Sequence, residues 1–305
     1  MDNFNTPVKQ KVNNVLNVPA SPFLQHLGYG TGVQVYRFNR SPQAGKINSP
    51  WALKYLTKRK LKQSDCLSIE HRLNEEANIL KKLDHPNIVG FRAYTSLPDG
   101  RKVLAMEDCT VSLGDLIETR LENEGTPFEA VKILKMIVDM ASALDYLHTK
   151  AHLLHGDVKS HNILVKGNFD ICKLCDFGVS LQLDQNGSVL PNNFYKGTEL
   201  WSAPETMDEG KITNKADLFS LGLTIWEMLS LTPPHAPVCD ESNLSSVNES
   251  IDEIETLGTR PDLPNIEFSE DYNPVLECFF ILTEENPINR PSASLLIELL
   301  KQFKL

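Results

Sequence analysis

The apolar residues of this 305-residue chain change their period once, near Cys109, and that change limits the fold more than any other feature. Before Cys109 they alternate as strands do. Residues 23–38 read as two strands around a glycine turn and residues 51–57 as a third. Ile88–Thr95 and Lys102–Glu107 read as two more, joined by the turn Leu97-Pro98-Asp99-Gly100. One helix, 66–83, interrupts them, with Leu73, Ala77 and Leu80 on one face. After Cys109 the period is helical: residues 128–149 carry a stripe of Val131, Leu134, Ile137, Val138, Ala141 and Leu144, and Ala216–Leu229 and Ala293–Phe303 behave alike. The expectation is an α+β fold in two lobes. A small, mainly antiparallel β lobe with one helix covers 21–108, a larger, mainly α lobe covers 109–305, and together they make one domain over 21–305. Residues 1–20, rich in Asn, Lys and Pro, read as a flexible tail, and the acidic, Ser-rich stretch 239–256 reads as an exposed insertion.

Charge narrows the partners. The net charge is -10 and the pI about 5.3. Such a surface lacks the basic face that nucleic acid requires, so no nucleic-acid partner is expected. A polyanionic ligand would have to find local positive charge, because the global field repels it. Six cysteines scattered through the chain point to a reduced compartment, not to a disulfide scaffold. Met1–Lys11 is polar and lacks the apolar core of a signal peptide. The longest apolar run, Leu221–Leu231, is interrupted by Glu227, so no membrane association is expected and a cytosolic or nuclear location is.

Four blocks carry residues suited to chemistry. Gly28-Tyr29-Gly30-Thr31-Gly32 leads into the alternating Val33-Gln34-Val35-Tyr36. By itself it is a hairpin turn. A dinucleotide or P-loop glycine run opens a helix, and the P-loop also needs Gly-Lys-Ser/Thr, which does not follow here. Strand, glycine turn and strand instead lay backbone N–H groups over phosphates. Lys54, in Trp51-Ala52-Leu53-Lys54, is either an edge lysine in water or a buried one that needs a carboxylate. Glu76 is the preferred partner, four residues before Leu80 on the apolar helix face; Glu75 is the alternative. His155-Gly156-Asp157-Val158-Lys159-Ser160-His161-Asn162 is either a polar turn or a loop whose Asp, Lys and Asn surround a phosphate in transfer. Asp176-Phe177-Gly178 follows the short apolar strand Ile171–Cys175 and offers hard carboxylate oxygen to Mg²⁺. Cys172 and Cys175 form a C-x-x-C with no second ligand pair for zinc and no helix to follow, and read as small apolar residues.

In this order the blocks resemble the eukaryotic protein kinases, over residues 23 to 303 and close to the MAP kinase kinases. His85-Pro86-Asn87-Ile88-Val89-Gly90, Gly197-Thr198-Glu199, Ala203-Pro204-Glu205, Asp217-Leu218-Phe219 and Asn286-Pro287-Ile288-Asn289-Arg290-Pro291 extend the likeness. The resemblance implies transfer of the γ-phosphate of ATP, with Mg²⁺, to Ser/Thr of protein substrates, with dual specificity an option, in proliferative or mitotic signalling. It implies that Asp157 takes the acceptor proton, that Lys159 steadies the γ-phosphate, and that Asn162 and Asp176 hold Mg²⁺. Lys54, positioned by Glu76, would grip the α/β-phosphates. Leu27, Gly28, Gly30, Gly32, Val35, Ala52, Met106, Glu107 and Cys109 would line the nucleotide site, with Glu107-Asp108-Cys109 as hinge. Glu205 with Arg290, and Asp217 beneath the catalytic loop, would be structural. Lys159 at its position favours Ser/Thr over Tyr acceptors.

Two departures stand out. Val33 occupies the place of the third glycine, and Gly156 that of the usual arginine, which clamps a phosphorylated activation loop bidentately. Phosphorylation between Val179 and Tyr195 is therefore expected to control activity less, or through another cation. The departures also support a competing reading, a kinase-shaped scaffold without transfer. A third reading, transfer to a small molecule, conflicts with the Thr198 and Ala203-Pro204-Glu205 segment, which shapes a platform for a peptide. Two partner expectations remain: a PDZ domain at the ending Phe303-Lys304-Leu305, and a cyclin-dependent kinase at Thr6-Pro7-Val8-Lys9.

Overall fold

The computed structural model describes residues 24–30, 33–39, 50–56, 63–97, 99–109, 111–207, 210–235 and 256–303. The expectations for the 1–20 tail, Thr6, Gly32, all of the 239–256 insertion but its last residue, and the end Lys304-Leu305 lie outside the described residues. Two compact units emerge: one runs to Ala77 and resumes over Phe91–Asp108, the other takes Asn78–Gly90 and everything from Cys109.

Alternating residues build the first unit. Strands β1 (Leu24–Gly30), β2 (Val33–Phe38), β3 (Trp51–Leu56), β4 (Phe91–Ser96) and β5 (Lys102–Glu107) form one antiparallel sheet in the order β1-β2-β3-β5-β4. Residues opposite one another in an antiparallel pair share a face. One face gathers Leu53, Tyr55, Leu97, Val103 and Ala105, with Tyr36, Phe38, Trp51 and Ala93 at its margin. Tyr36 and Tyr55 stack there with centroids 5.4 Å apart. Each fully buried aliphatic side chain contributes about 1.5–3 kcal/mol, so this small cluster suffices to hold the sheet in register. The helix α1 (Gln63–Leu80) buries Ile69, Leu73, Ala77 and Leu80, the i, i+4 stripe its sequence contains.

The strand expected from Ile88 begins instead at Phe91. His85-Pro86-Asn87 makes a turn, with the Ile88 N–H donating to the His85 carbonyl (3.1 Å), and Ile88 forms only an isolated bridge to Leu174.

The second unit is mostly helical. It contains α2 (Leu113–Asn123), α3 (Ala130–Tyr146), α4 (Lys215–Ser230), α5 (Asn273–Leu282) and α6 (Ala293–Leu300). A three-stranded sheet, β6 (Val111–Ser112), β8 (Ile163–Lys166) and β9 (Ile171–Leu174), and a short pair, β7 (Leu153–Leu154) with β10 (Leu181–Gln182), carry the loops. Helix α3 buries Ile133, Leu134, Ile137, Ala141 and Leu144 as its period requires, but Val131 is 68% exposed. It lies in the first turn, off the stripe. Helix α4 is enclosed on nearly every side, and its polar residues Asp217, Ser220, Thr224 and Glu227 are as buried as its leucines. Polar groups so placed need partners, or each costs about 1–3 kcal/mol. Glu205 and Arg290 answer one such need across 85 residues: both guanidinium ends reach the carboxylate, at 2.7 and 2.8 Å, with Arg290 only 1% exposed. Among the described residues no helix is long and apolar enough to cross a membrane.

Candidate active site

Within the first unit, register fixes a polar site on the sheet face opposite the aromatic cluster. Val35 pairs with Lys54, Ala52 pairs with Met106, and Ala52 and Lys54 are two apart, so all four share that face. Gly28 pairs with Val35, and β1 shifts register at Leu27, between His26 and Gly28. Gly30 closes β1 opposite Val33. Lys54 is buried, and its Nζ donates to both oxygens of the equally buried Glu76, at 2.9 and 3.1 Å. Glu75 is exposed and faces His71 instead. Of the two carboxylates the sequence leaves open, the structure therefore selects Glu76. Met106 is buried, Glu107 lies 4.0 Å from Arg92, and the adjacent Asp108 takes Arg37 Nε at 3.0 Å. Cys109 opens the second unit as a buried residue.

In the second unit the loop after β7 is shaped around Asp157. Asn162 Nδ2 donates to the Asp157 carbonyl and to its Oδ2, both at 2.8 Å. Lys159 Nζ pairs with Oδ2 at 2.9 Å. The other oxygen, Oδ1, accepts from the Thr198 N–H (3.1 Å) and hydroxyl (2.6 Å), and Lys159 also donates to that hydroxyl. Both carboxylate oxygens thus have fixed directions.

The backbone under this loop is held from below. Asp217, in the first turn of α4, accepts from the His155 N–H and the Gly156 N–H, both at 2.9 Å, and bonds His148 Nε2 at 2.8 Å. Burial by itself would push the Asp217 carboxyl up; the His148 hydrogen bond, the two nearby imidazoles and the Gly156 N–H outweigh it and hold it below the usual carboxylate range. Gly156 sits at φ +79°, a conformation that favours glycine. The His155 ring donates from Nε2 to the Cys175 carbonyl at 3.0 Å and accepts the Asp157 N–H at Nδ1, and it meets the Phe177 ring edge-on, 5.1 Å away.

Asp176 and Asn162 are brought together by the β8–β9 pair. Ile163 lies opposite Leu174, and the Cys175 N–H donates to the Asn162 carbonyl at 2.9 Å, which sets the two candidate metal ligands at neighbouring positions. Asp176 adopts φ +64°, a left-handed conformation that costs a non-glycine residue about 1–2 kcal/mol. Strain of this kind clusters where side-chain aim matters more than local stability. Cys172 is fully buried on β9, and burial together with nearby Asp139 pushes its thiol up to about 12, as suits a small apolar residue and not a redox centre.

Three contacts have no counterpart in the sequence reading. The Thr198 hydroxyl on Asp157 joins residues 41 positions apart. Ser160 Oγ donates to Glu227 Oε1 at 2.7 Å, and Trp201 Nε1 donates to Glu227 Oε2 at 3.2 Å. Burial pushes the Glu227 carboxyl up to about 7 against these bonds. A glutamate inside an apolar run was the only local signal for that site.

Known proteins place the geometry in context. The protein kinase domain profile matches residues 22–301. The chain is 46% identical to the human lymphokine-activated killer T-cell-originated protein kinase, over 99% of its own length and 98% of that protein's. It is 30% identical to the dual specificity protein kinase shkD of Dictyostelium discoideum, covering 88% of this chain and 32% of that one. It is 31% identical to the Drosophila melanogaster serine/threonine-protein kinase Tao, over 73% of this chain but 19% of that one. A helical unit carrying an Asp-Lys-Asn loop, a β unit carrying a buried Lys-Glu pair, and a profile match over nearly the whole length lead to one conclusion: the chain belongs to the protein kinase family.

Proposed function

We propose that this kinase is catalytically active, using ATP and Mg²⁺ to phosphorylate Ser or Thr of protein substrates. The observation that carries the reading is the Asp157 carboxylate, held on both oxygens by Asn162, Lys159 and Thr198. A scaffold without chemistry has no use for a carboxylate so directed.

The metal fits the residues present. Asn162 turns its amide nitrogen to Asp157, so its amide oxygen is the branch left to serve an ion, and Asp176 supplies a carboxylate from a strained backbone. Among the described residues no three His, Cys, Asp or Glu side chains converge on one point. A site of one amide and one carboxylate oxygen suits Mg²⁺, which completes its shell with phosphate oxygens and water. When bound, the ion would neutralise charge on the phosphates.

The chain's own residues would do the rest. Asp157 orients the acceptor hydroxyl and takes its proton. Lys159, already paired with Asp157, offers its ammonium to charge on the phosphoryl group in transfer. Lys54, kept extended by Glu76, faces the α/β-phosphates, with Val35, Ala52 and Met106 on the same sheet face for the nucleotide. Turnover of an ordinary protein kinase is about 1–100 per second. MAP-kinase-kinase-like dual specificity and a place in mitotic signalling follow only from likeness to relatives, and belong to this proposal.

The test compares wild type, Asp157→Asn and Lys54→Met for radiolabelled phosphate incorporation into a generic protein substrate with Mg²⁺ and ATP. Wild-type transfer with losses of at least about a thousandfold in both variants is expected. Equal incorporation in all three sinks the reading and leaves the scaffold alternative, for which Gly156 and Val33 speak.

A further inference from the structure

The segment between Asp176 and Glu205 has to be fixed for Thr198 to reach Asp157, yet the chain lacks the usual means. Gly156 stands where an arginine would receive a phosphate, and no arginine occurs anywhere from Leu121 to Thr259. The hydroxyls of the segment are already occupied. Ser180 Oγ donates to the His155 carbonyl at 3.0 Å, Ser202 Oγ to the Thr198 carbonyl at 3.0 Å, and Thr198 Oγ1 to Asp157. Ser188 is buried.

Tyr195 is one of the residues that tie this segment to the core. Its neighbours face outward: Phe194 is 77% exposed and Lys196 is exposed. Tyr195 turns the other way and packs on the cluster of Leu154, Leu183, Trp201, Ala203, Ala216 and Phe219. The ring is half-buried there, and burial raises the phenol well above its usual range. Gly197 makes room for the ring and Gly156 borders it. A Cβ on Gly156 would stand 3.9 Å from Tyr195 Cε2 and 3.3 Å from the Val179 carbonyl oxygen, and one on Gly197 would collide with Tyr195 Oη and the Gly156 carbonyl. The position that lost the arginine and the ring of Tyr195 are therefore direct neighbours.

We propose that Tyr195 is a positioning residue that replaces the arginine–phosphate clamp: its ring, bordered by Gly156 and Gly197 and packed on Leu154, Trp201 and Phe219, holds the segment so that Thr198 engages Asp157 without phosphorylation. The proposal rests on the reading of the chain as an active protein kinase. A phosphate on Tyr195 would have to leave this apolar site and would release the segment, so modification there opposes activity.

The experiment uses the full chain, treated with a broad-specificity phosphatase, as wild type, Tyr195→Ala and Tyr195→Phe. Steady-state transfer to a generic protein substrate is measured alongside amide hydrogen exchange of peptides covering 194–202. Dephosphorylated wild type keeps at least half its turnover. Tyr195→Ala lowers kcat about thirtyfold with KM for ATP within about twofold, and speeds exchange across 194–202 about tenfold. Tyr195→Phe, which keeps the ring, recovers most of the lost kcat. A variant that merely weakened the fold would raise exchange throughout and would not spare KM. Loss of wild-type activity on dephosphorylation overturns the proposal, as does a Tyr195→Ala protein with wild-type kcat or wild-type exchange in this segment. Should wild type transfer no phosphate while the exchange difference persists, the kinase reading fails and the anchor stands. Should Tyr195→Ala not fold, the phosphatase result and Tyr195→Leu, which keeps part of the ring's apolar bulk, still decide: wild-type kcat and wild-type exchange across 194–202 in that variant overturn the proposal.

Discussion

Replacing Glu227 by Gln offers a quantitative check of how α4 is wired. The carboxyl is raised from its ordinary 4.5 to about 7, chiefly by burial, and hydrogen bonds from Ser160 and Trp201 only partly offset that. The folded protein therefore binds this proton more tightly than the unfolded chain does. Stability is greatest below the unfolded value and declines as pH rises through the window from about 4.5 to 7. At 1.36 kcal/mol for each tenfold change in proton affinity, the whole decline is about 3 kcal/mol, most of it between pH 5 and pH 8. Gln has nearly the same shape and no such titration. Urea unfolding of wild type and Glu227→Gln at both pH values isolates the effect, because other titrating groups cancel in the difference. The stability of wild type relative to the variant should drop by about 2–3 kcal/mol from pH 5 to pH 8. An unchanged difference would refute the view that this carboxyl is enclosed, and with it the proposed geometry of the Ser160–Glu227–Trp201 bridge.

Three further outcomes follow from the same geometry. Glu76→Gln strips the charge partner from buried Lys54 and should lower kcat/KM for ATP by about ten- to a hundredfold in steady-state assays. Arg290→Ala leaves Glu205 buried and unpaired and should cost about 3–5 kcal/mol in chemical denaturation, and Arg290→Lys should recover little, since one ammonium cannot span both carboxylate oxygens. Gly222→Ala drives a Cβ to 2.6 Å from Thr283 Cγ2 and 3.1 Å from Leu282 Cβ, and should destabilise by about 1–3 kcal/mol in the same assay.

Local pattern made some of this legible and left the rest out of reach. The period change at Cys109 matches the passage from strands to helices because burial on one face imposes those periods directly. Lys54 with Glu76 was within reach for the same reason: both sit on faces that burial dictates. Helix α2 passed unread although Leu113, Leu116, Ile117 and Leu121 recur at helical spacing and a capping box between Ser112 and Asp115 marks its start. Helix α5 passed too, because a run such as Val275-Leu276 and Cys278–Leu282 suits a buried strand as well as a buried helix. Thr198 on Asp157 and Ser160 on Glu227 are tertiary bonds, 41 and 67 residues apart, and periodicity carries no trace of them. In the sequence Glu227 looked like a flaw in an apolar segment; in the fold it is one of the places where that segment is tied to the loop around Asp157.

Helix α4 sends Asp217 to the backbone beneath Asp157, Ser220 to the Trp201 carbonyl, and Glu227 to Ser160 and Trp201. The loop around Asp157 and the segment around Thr198 are thereby mounted on a single rod and inherit every displacement of it together. On the proposed function, remodelling α4 would disturb both at once. The freedom to diversify lies instead in outward-facing positions such as Leu190 and Phe194, where replacements leave the mounting untouched.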